Sequence, residues 1–355
     1  MVLPAVAAVL VTSIIPAAAA VESPRTVCRI TDDRLNEISG LVTDGDGYVV
    51  VNDGADDPDG RRVFFLNKRC TVTRTVAYPS RPRDTEDLAR GADGTIWVGD
   101  IGDNGNSRET IALWRLAPGA RKPALFRLSY PDGARDAEAL LVAGDGTPVV
   151  ITKDPVTAGV YVPSEPLRAG KTTPLKRAGD VPIPVTATSN PFGFAGRLVI
   201  TGAAASPDGT RVALRTYSDA FEFDVTEGDV VRAVTGGSSR TTALPDEPQG
   251  ESIAYSADGS ALLTVSEGRD VPILSYPLSP SAAPASPPST APSPSPSVVP
   301  SPALSVVSSP SAAPSAAAAS PVAASTFPVG AVAAALGMIV AGGVTGLLIA
   351  RRRRS

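Results

Sequence analysis

Asp84-Thr-Glu-Asp-Leu-Ala-Arg-Gly-Ala-Asp-Gly-Thr-Ile-Trp-Val-Gly-Asp-Ile-Gly-Asp-Asn104 reads as an acidic start, a short strand, an Asp-Gly turn, a second strand and a second acidic cluster. The same order recurs along the chain. Glu37, Glu86, Glu138, Thr201 and Glu251 each stand seven positions before an Asp-Gly, at Asp44-Gly45, Asp93-Gly94, Asp145-Gly146, Asp208-Gly209 and Asp258-Gly259. The anchors are 49, 52, 63 and 50 residues apart, a spacing close to the repeat periods of solenoids, propellers and arrays. Asp-Gly before an apolar run is a hairpin turn, because Gly takes φ > 0 without steric cost.

Short β-branched or apolar runs surround each turn. Second strands read as Tyr48–Val51, Thr95–Val98, Pro148–Thr152, Arg211–Arg215 and Ala261–Val265. Third strands read as Arg62–Leu66, Ile111–Leu116, Ala158–Val162, Ala220–Phe223 and Pro272–Tyr276, and fourth strands as Val72–Val76, Leu125–Leu128 and Val230–Val234. No helical period of useful length appears in this region. Four antiparallel strands in each unit describe a β-propeller blade. The fold class is therefore all-β, a propeller of five blades, or six if the long 138–201 interval holds a degenerate one. The last unit lacks a fourth strand and Thr26–Ile30 is a strand without a unit. Pairing the two closes the ring and removes two exposed edges.

The flanking segments have other compositions. Residues 1–20 are uncharged and apolar and end in Ala17–Ala20, as a secretory signal does. The propeller ectodomain occupies 21–278 and residues 279–327 are a Ser/Pro/Ala-rich, uncharged tract. Such a tract cannot bury a core and favours an extended, stalk-like spacer. Residues 328–350 are apolar and long enough to span a bilayer. The basic tail 351–355 that follows sets that end in the cytoplasm. The expected location is the cell membrane, single-pass, with the blades outside. Export makes a Cys28–Cys70 disulfide the natural state of the two cysteines. It would join the closing strand to the edge of the first blade.

The formal net charge is −4, so removing the four terminal arginines leaves −8 on the exported part. An acidic exported domain does not suggest nucleic-acid binding. The sequence contains no histidine, which excludes Ser-His-Asp and Cys-His catalysis and every His-ligated metal site. Carboxylates remain, and their phase is informative. In a blade the start of the first strand and the end of the second lie on one face. Glu37, Glu86, Asp87, Glu138 and Glu251 fall at the starts, and Asn52, Asp53, Asp100, Asp103, Asn104, Asp154 and Glu267 fall near the returns. An acidic ring at one mouth of the channel follows. Crowded like charges raise one another's pKa unless a cation neutralises them, and Ca²⁺ takes roughly six to eight oxygen ligands. The candidate metal ligands are Glu37, Asp53, Glu86, Asp100, Asp103, Asn104, Glu138 and Glu251.

Glu37-Ile-Ser-Gly-Leu41, Asp84-Thr-Glu-Asp-Leu-Ala89 and Gly99-Asp-Ile-Gly-Asp-Asn104 resemble exported bacterial β-propellers of the phytase-like, or esterase-like phytase, type over roughly residues 25–280. The resemblance implies Ca²⁺ bridged by carboxylates, at Glu37, Glu86, Asp100, Asp103 and Glu138 here, and a basic cluster holding substrate phosphates. Only Arg215 and Arg269 fall at comparable basic positions. The expected function is a surface-displayed module that binds an extracellular ligand or protein through its acidic, Ca²⁺-binding mouth. The alternative is a Ca²⁺- or carboxylate-dependent hydrolase, acting on phosphate esters or glycosides. Two carboxylates about 5–9.5 Å apart suffice for glycoside hydrolysis, and Glu86 with Glu138 or Asp100 would supply them.

Overall fold

The computed structural model describes residues 23–54 and 57–278. The secretory signal, the stalk, the membrane span and the basic tail expected above lie outside the described residues. Among the described residues no helix is long and apolar enough to cross a membrane.

Five four-stranded meanders follow one another. The first is β2 (Ile38–Asp44), β3 (Gly47–Asn52), β4 (Arg62–Leu66) and β5 (Val72–Ala77), and the second is β6 (Asp87–Arg90), β7 (Ile96–Asp100), β8 (Ile111–Leu116) and β9 (Ala124–Ser129). The third is β10 (Ala137–Val142), β11 (Pro148–Thr152), β12 (Thr157–Pro163) and β13 (Thr172–Pro182). The fourth is β14 (Gly202–Ala205), β15 (Arg211–Arg215), β16 (Asp219–Asp224) and β17 (Ser239–Ala243). The fifth is β18 (Gly250–Tyr255), β19 (Ala261–Ser266) and β20 (Val271–Pro277), completed by β1 (Arg25–Ile30), which pairs antiparallel with β20.

Period-two alternation explains how the meanders assemble. Side chains of a strand point to opposite faces, so each meander offers an apolar layer to both neighbours. The buried side chains fall into five clusters, and each belongs to two adjacent meanders. Val49, Val51 and Val63 of the first pack with Leu88, Val98 and Trp114 of the second. Trp97 and Leu113 pack with Leu140 and Tyr161 across the next interface. Leu141 and Ile151 meet Leu214 and Phe221, and Ala213 and Leu244 meet Ile253 and Leu262. Leu263 and Ile273 of the fifth meet Leu41 and Phe64 of the first, which closes the cycle. The inner strands close it a second time: β2 contacts β6, β6 contacts β10, β10 contacts β14, β14 contacts β18 and β18 contacts β2. Radial sheets around a shared axis, each buried on both faces, make a β-propeller.

Three expectations need correction. The repeat predicts five separate blades, whereas the described residues form four hydrogen-bonded sheets, one of them eight-stranded. The cause is the length of β13. Its first residues, Thr172–Pro174, pair in parallel with Arg127–Ser129 of β9 and fuse the second and third meanders at their outer edges. The 138–201 interval holds no sixth unit. It holds this long β13 and a connector over 183–201 whose regular part is the 3₁₀ turn Ala195–Arg197. Finally, Val230–Val234 is not a fourth strand. It lies in α1 (Val230–Gly236), and the strand role passes to β17. Val230, Ala233 and Val234 are the buried residues of α1, a helical spacing, and the Asp229 carboxylate caps its first turn by accepting Arg232 N–H.

Candidate functional site: an axial carboxylate cluster

At the start of each inner strand two residues oppose one. The register shift falls at Ser39 in β2, at Glu138 in β10 and at Glu251 in β18. Glu86 N–H donates to the Gly99 carbonyl that Asp87 already faces, and Thr201 N–H donates to the Arg215 carbonyl opposite Gly202. Such bulges re-aim a side chain that strand alternation would otherwise send into an interface. The ring of bulge residues is thus Ser39, Glu86, Glu138, Thr201 and Glu251.

The three glutamates converge. One carboxylate oxygen from each of Glu86, Glu138 and Glu251 lies within 4.8 Å of the other two. These side chains come from three different meanders and are 2%, 2% and 4% exposed. A second trio, Asp53, Asp84 and Glu86, shares Glu86 and is only partly buried at its two aspartates. Ser39 Oγ donates to Glu86 Oε2 at 3.3 Å and Tyr217 OH donates to Glu251 Oε1 at 3.0 Å. Lys153 Nζ forms an ion pair with Glu138 Oε1. Glu138 Oε2 is buried without a hydrogen-bond partner. Gly102 belongs to the cradle: a Cβ there would stand 2.0 Å from Glu86 Oε1 and 2.7 Å from Asp84 Oδ2.

The electrostatics follow from crowding. Burial pushes the Glu86 and Asp53 carboxyls well up, and the neighbouring acids push them further. Burial raises Glu138 too, against the pull of Lys153. Burial also raises Asp84, while a hydrogen bond with Asp53 pulls it back. Glu267, one residue beyond β19, is pushed up to about 11 by burial and then by the charge of, and a hydrogen bond with, Glu251. Burial draws Lys153 down, but Glu138, Tyr217 and Glu251 outweigh it and hold the ammonium well above its ordinary value.

Of the residues singled out in the sequence, Asp53, Glu86, Glu138 and Glu251 are brought together. Glu37 is two residues before the Ser39 bulge, where its charge adds to the upward push on Glu267. Asp100 accepts from the backbone N–H of Arg83 and Asp84, from Arg108 at 2.9 Å and from Trp114 Nε1 at 3.2 Å. It holds the loop that carries Asp84 and does not belong to either trio. Asp103 accepts Arg108 N–H at 2.8 Å and gives its own N–H to Asp136, and Asn104 is exposed. Asp84, Ser39, Lys153 and Tyr217 complete the site without having been singled out as ligands. Register was the available signal for Lys153. Asp53, Lys153 and Glu267 each stand one residue past the return strand of their meander.

No protein-family model matches the chain, and no curated protein matches it in sequence. Among solved structures, the selenomethionine-substituted virginiamycin B lyase from Staphylococcus aureus superposes with a TM-score of 0.34 at 11% identity, over 67% of this chain and 66% of that one. The chain thus spans just under two-thirds of that protein's length. The radial arrangement rests on this chain's own inner-strand contacts and interface clusters.

Proposed function

We propose that the chain is a membrane-anchored, surface-displayed five-bladed β-propeller that acts as a binding module, with a divalent cation held at its axial mouth by Glu86, Glu138 and Glu251 beside Asp53 and Asp84. One observation carries the cation reading. Glu138 buries a carboxylate oxygen that meets no donor, in a residue of a trio contributed by three meanders. A buried, unpaired charged oxygen costs several kcal/mol, and a cation offsets that cost. The donors are all oxygen, which suits a hard ion. A span of 4.8 Å is within reach of two ligands each about 2.3–2.6 Å from a shared Ca²⁺. The bound ion would tie β6, β10 and β18 together at the axis. Asp53 and Asp84, only partly buried, mark the side from which an oxygen-bearing partner could reach it. The apolar 328–350 run and the uncharged tract before it support display at a cell surface.

Calorimetric titration with Ca²⁺ tests this, alongside melting in Ca²⁺ and in EDTA. Saturation at 100 times the dissociation constant is expected to add about 2.7 kcal/mol, a rise of about 5–10 °C for a domain of this size. Glu86→Gln and Glu251→Gln are expected to abolish the response yet melt no lower than wild type in EDTA, because each removes like-charge repulsion. No heat and no melting shift in wild type would defeat the cation reading. Turnover of phosphate esters or oligosaccharides, lost in the same variants, would replace the binding module with a hydrolase.

A further inference from the structure

Lys153 stands one residue past the return strand, where the other four meanders carry Asp53, Ile101, Thr216 and Glu267, so it is the one cation among two acids and two uncharged residues. The ammonium is not at the surface: the side chain is 12% exposed, with Nζ on Glu138 Oε1 and 5.7 Å from the Tyr217 ring centre. Tyr217 in turn holds Glu251 Oε1. Lys153 therefore engages one oxygen of Glu138 while the other, Oε2, is buried without a hydrogen-bond partner.

We propose that Lys153 is a tethered competitor of the bound cation, setting how tightly the axial site holds a divalent ion. This rests on the cation reading above. Both cations draw on the same carboxylate, which places them about 5 Å apart. Screened even to the bulk-water limit, an ammonium at that distance weakens divalent-ion binding roughly tenfold, and the effect grows in a buried site. The competitor has a second role. Without metal it is the cluster's own counter-ion, because no other lysine or arginine forms an ion pair with Glu86, Glu138 or Glu251 among the described residues. The chain so trades affinity for a fold that stands with the site empty, and the ion binds reversibly instead of being locked in.

The test is Lys153→Met, which keeps an unbranched apolar stem, one atom shorter, and removes the charge. Lys153→Gln is the second variant, which retains a donor for Glu138. Calorimetry with CaCl₂ is expected to show at least about a tenfold tighter dissociation constant in both variants. Melting is expected to cross over: the variants fall below wild type in EDTA and meet or exceed it in saturating Ca²⁺. A variant that folds only when Ca²⁺ is present satisfies the same expectation. Affinity within twofold of wild type, with lower melting in both conditions, would make Lys153 a structural counter-ion and overturn the proposal. Absence of Ca²⁺ binding in wild type would instead defeat the cation reading on which it rests.

Discussion

Replacing Asp87 with Ala is expected to cost about 4–6 kcal/mol and to lower the melting temperature by about 10–20 °C. The carboxylate is wholly buried. Its Oδ1 accepts Leu88 N–H at 2.8 Å, and its Oδ2 accepts both Leu140 N–H at 2.8 Å and Ala203 N–H at 3.1 Å. Leu140 and Ala203 belong to β10 and β14, so one side chain pins the inner strands of three meanders. Burial drives its pKa well up, while the three N–H donors pull the other way. Removing it strands three buried amides, each costing about 1–3 kcal/mol when left unpaired, and opens a void besides. Asp87→Asn keeps an oxygen that can serve β10 and β14, so its loss should be smaller. Chemical-denaturant melts should rank wild type above Asn and Asn above Ala. A loss below about 1 kcal/mol for the alanine variant would show that water or a neighbouring group replaces the carboxylate.

Asp87 also marks where sequence reading stops. It is adjacent to Glu86, and counting along the repeat puts both at the channel mouth. Neighbouring positions of a strand face opposite ways. Only Glu86 enters the carboxylate trios, while Asp87 serves backbone amides of two other meanders. The repeat register itself was legible because each Asp-Gly turn is a fixed distance from its anchor, and the convergence of Glu86, Glu138 and Glu251 followed from it. The first meander is the exception. Asp44-Gly-Asp-Gly47 offers two turn dipeptides, and counting back seven from the second gives Ser39 instead of Glu37. The two-residue turn takes Gly45 and Asp46, one from each dipeptide, with Asp44 paired to Gly47, and the register shift falls at Ser39. The anchor there is a hydroxyl that donates to Glu86. The eight-stranded sheet was hidden because it depends on overhang at the end of β13, and α1 because Val230–Val234 fits a strand as well as a helical face. A run of five residues is too short to carry a period that separates the two.

Loss of the Cys28–Cys70 bond is expected to cost about 4 kcal/mol, the chain-entropy value for a closed loop of this length. The two cysteines are 42 residues apart in sequence, with Cα atoms 5.8 Å apart. The bond ties β1, the strand that completes the fifth meander, to the β4–β5 turn of the first. That interface needs a tie more than the other four. β1 comes from the N-terminal side of the domain, and Ile30 is its one buried residue. Ladder bonds to β20, that side chain and the exposed Arg29–Asp270 ion pair help to hold it, and such terminal strands fray. Melting under a thiol reductant, or of Cys28→Ser/Cys70→Ser, should fall by about 8–16 °C. Hydrogen exchange should quicken first in β1 and β20, ahead of β6 and β7. Cys70 adds a discriminating control. Its φ is +62°, a conformation glycine adopts freely and serine does not. Cys28→Ser/Cys70→Gly should therefore recover about 0.5–1 kcal/mol relative to the double serine variant. Equal melting with and without reductant, and uniform exchange across the strands, would mean that the noncovalent contacts of β1 keep the ring shut without the disulfide.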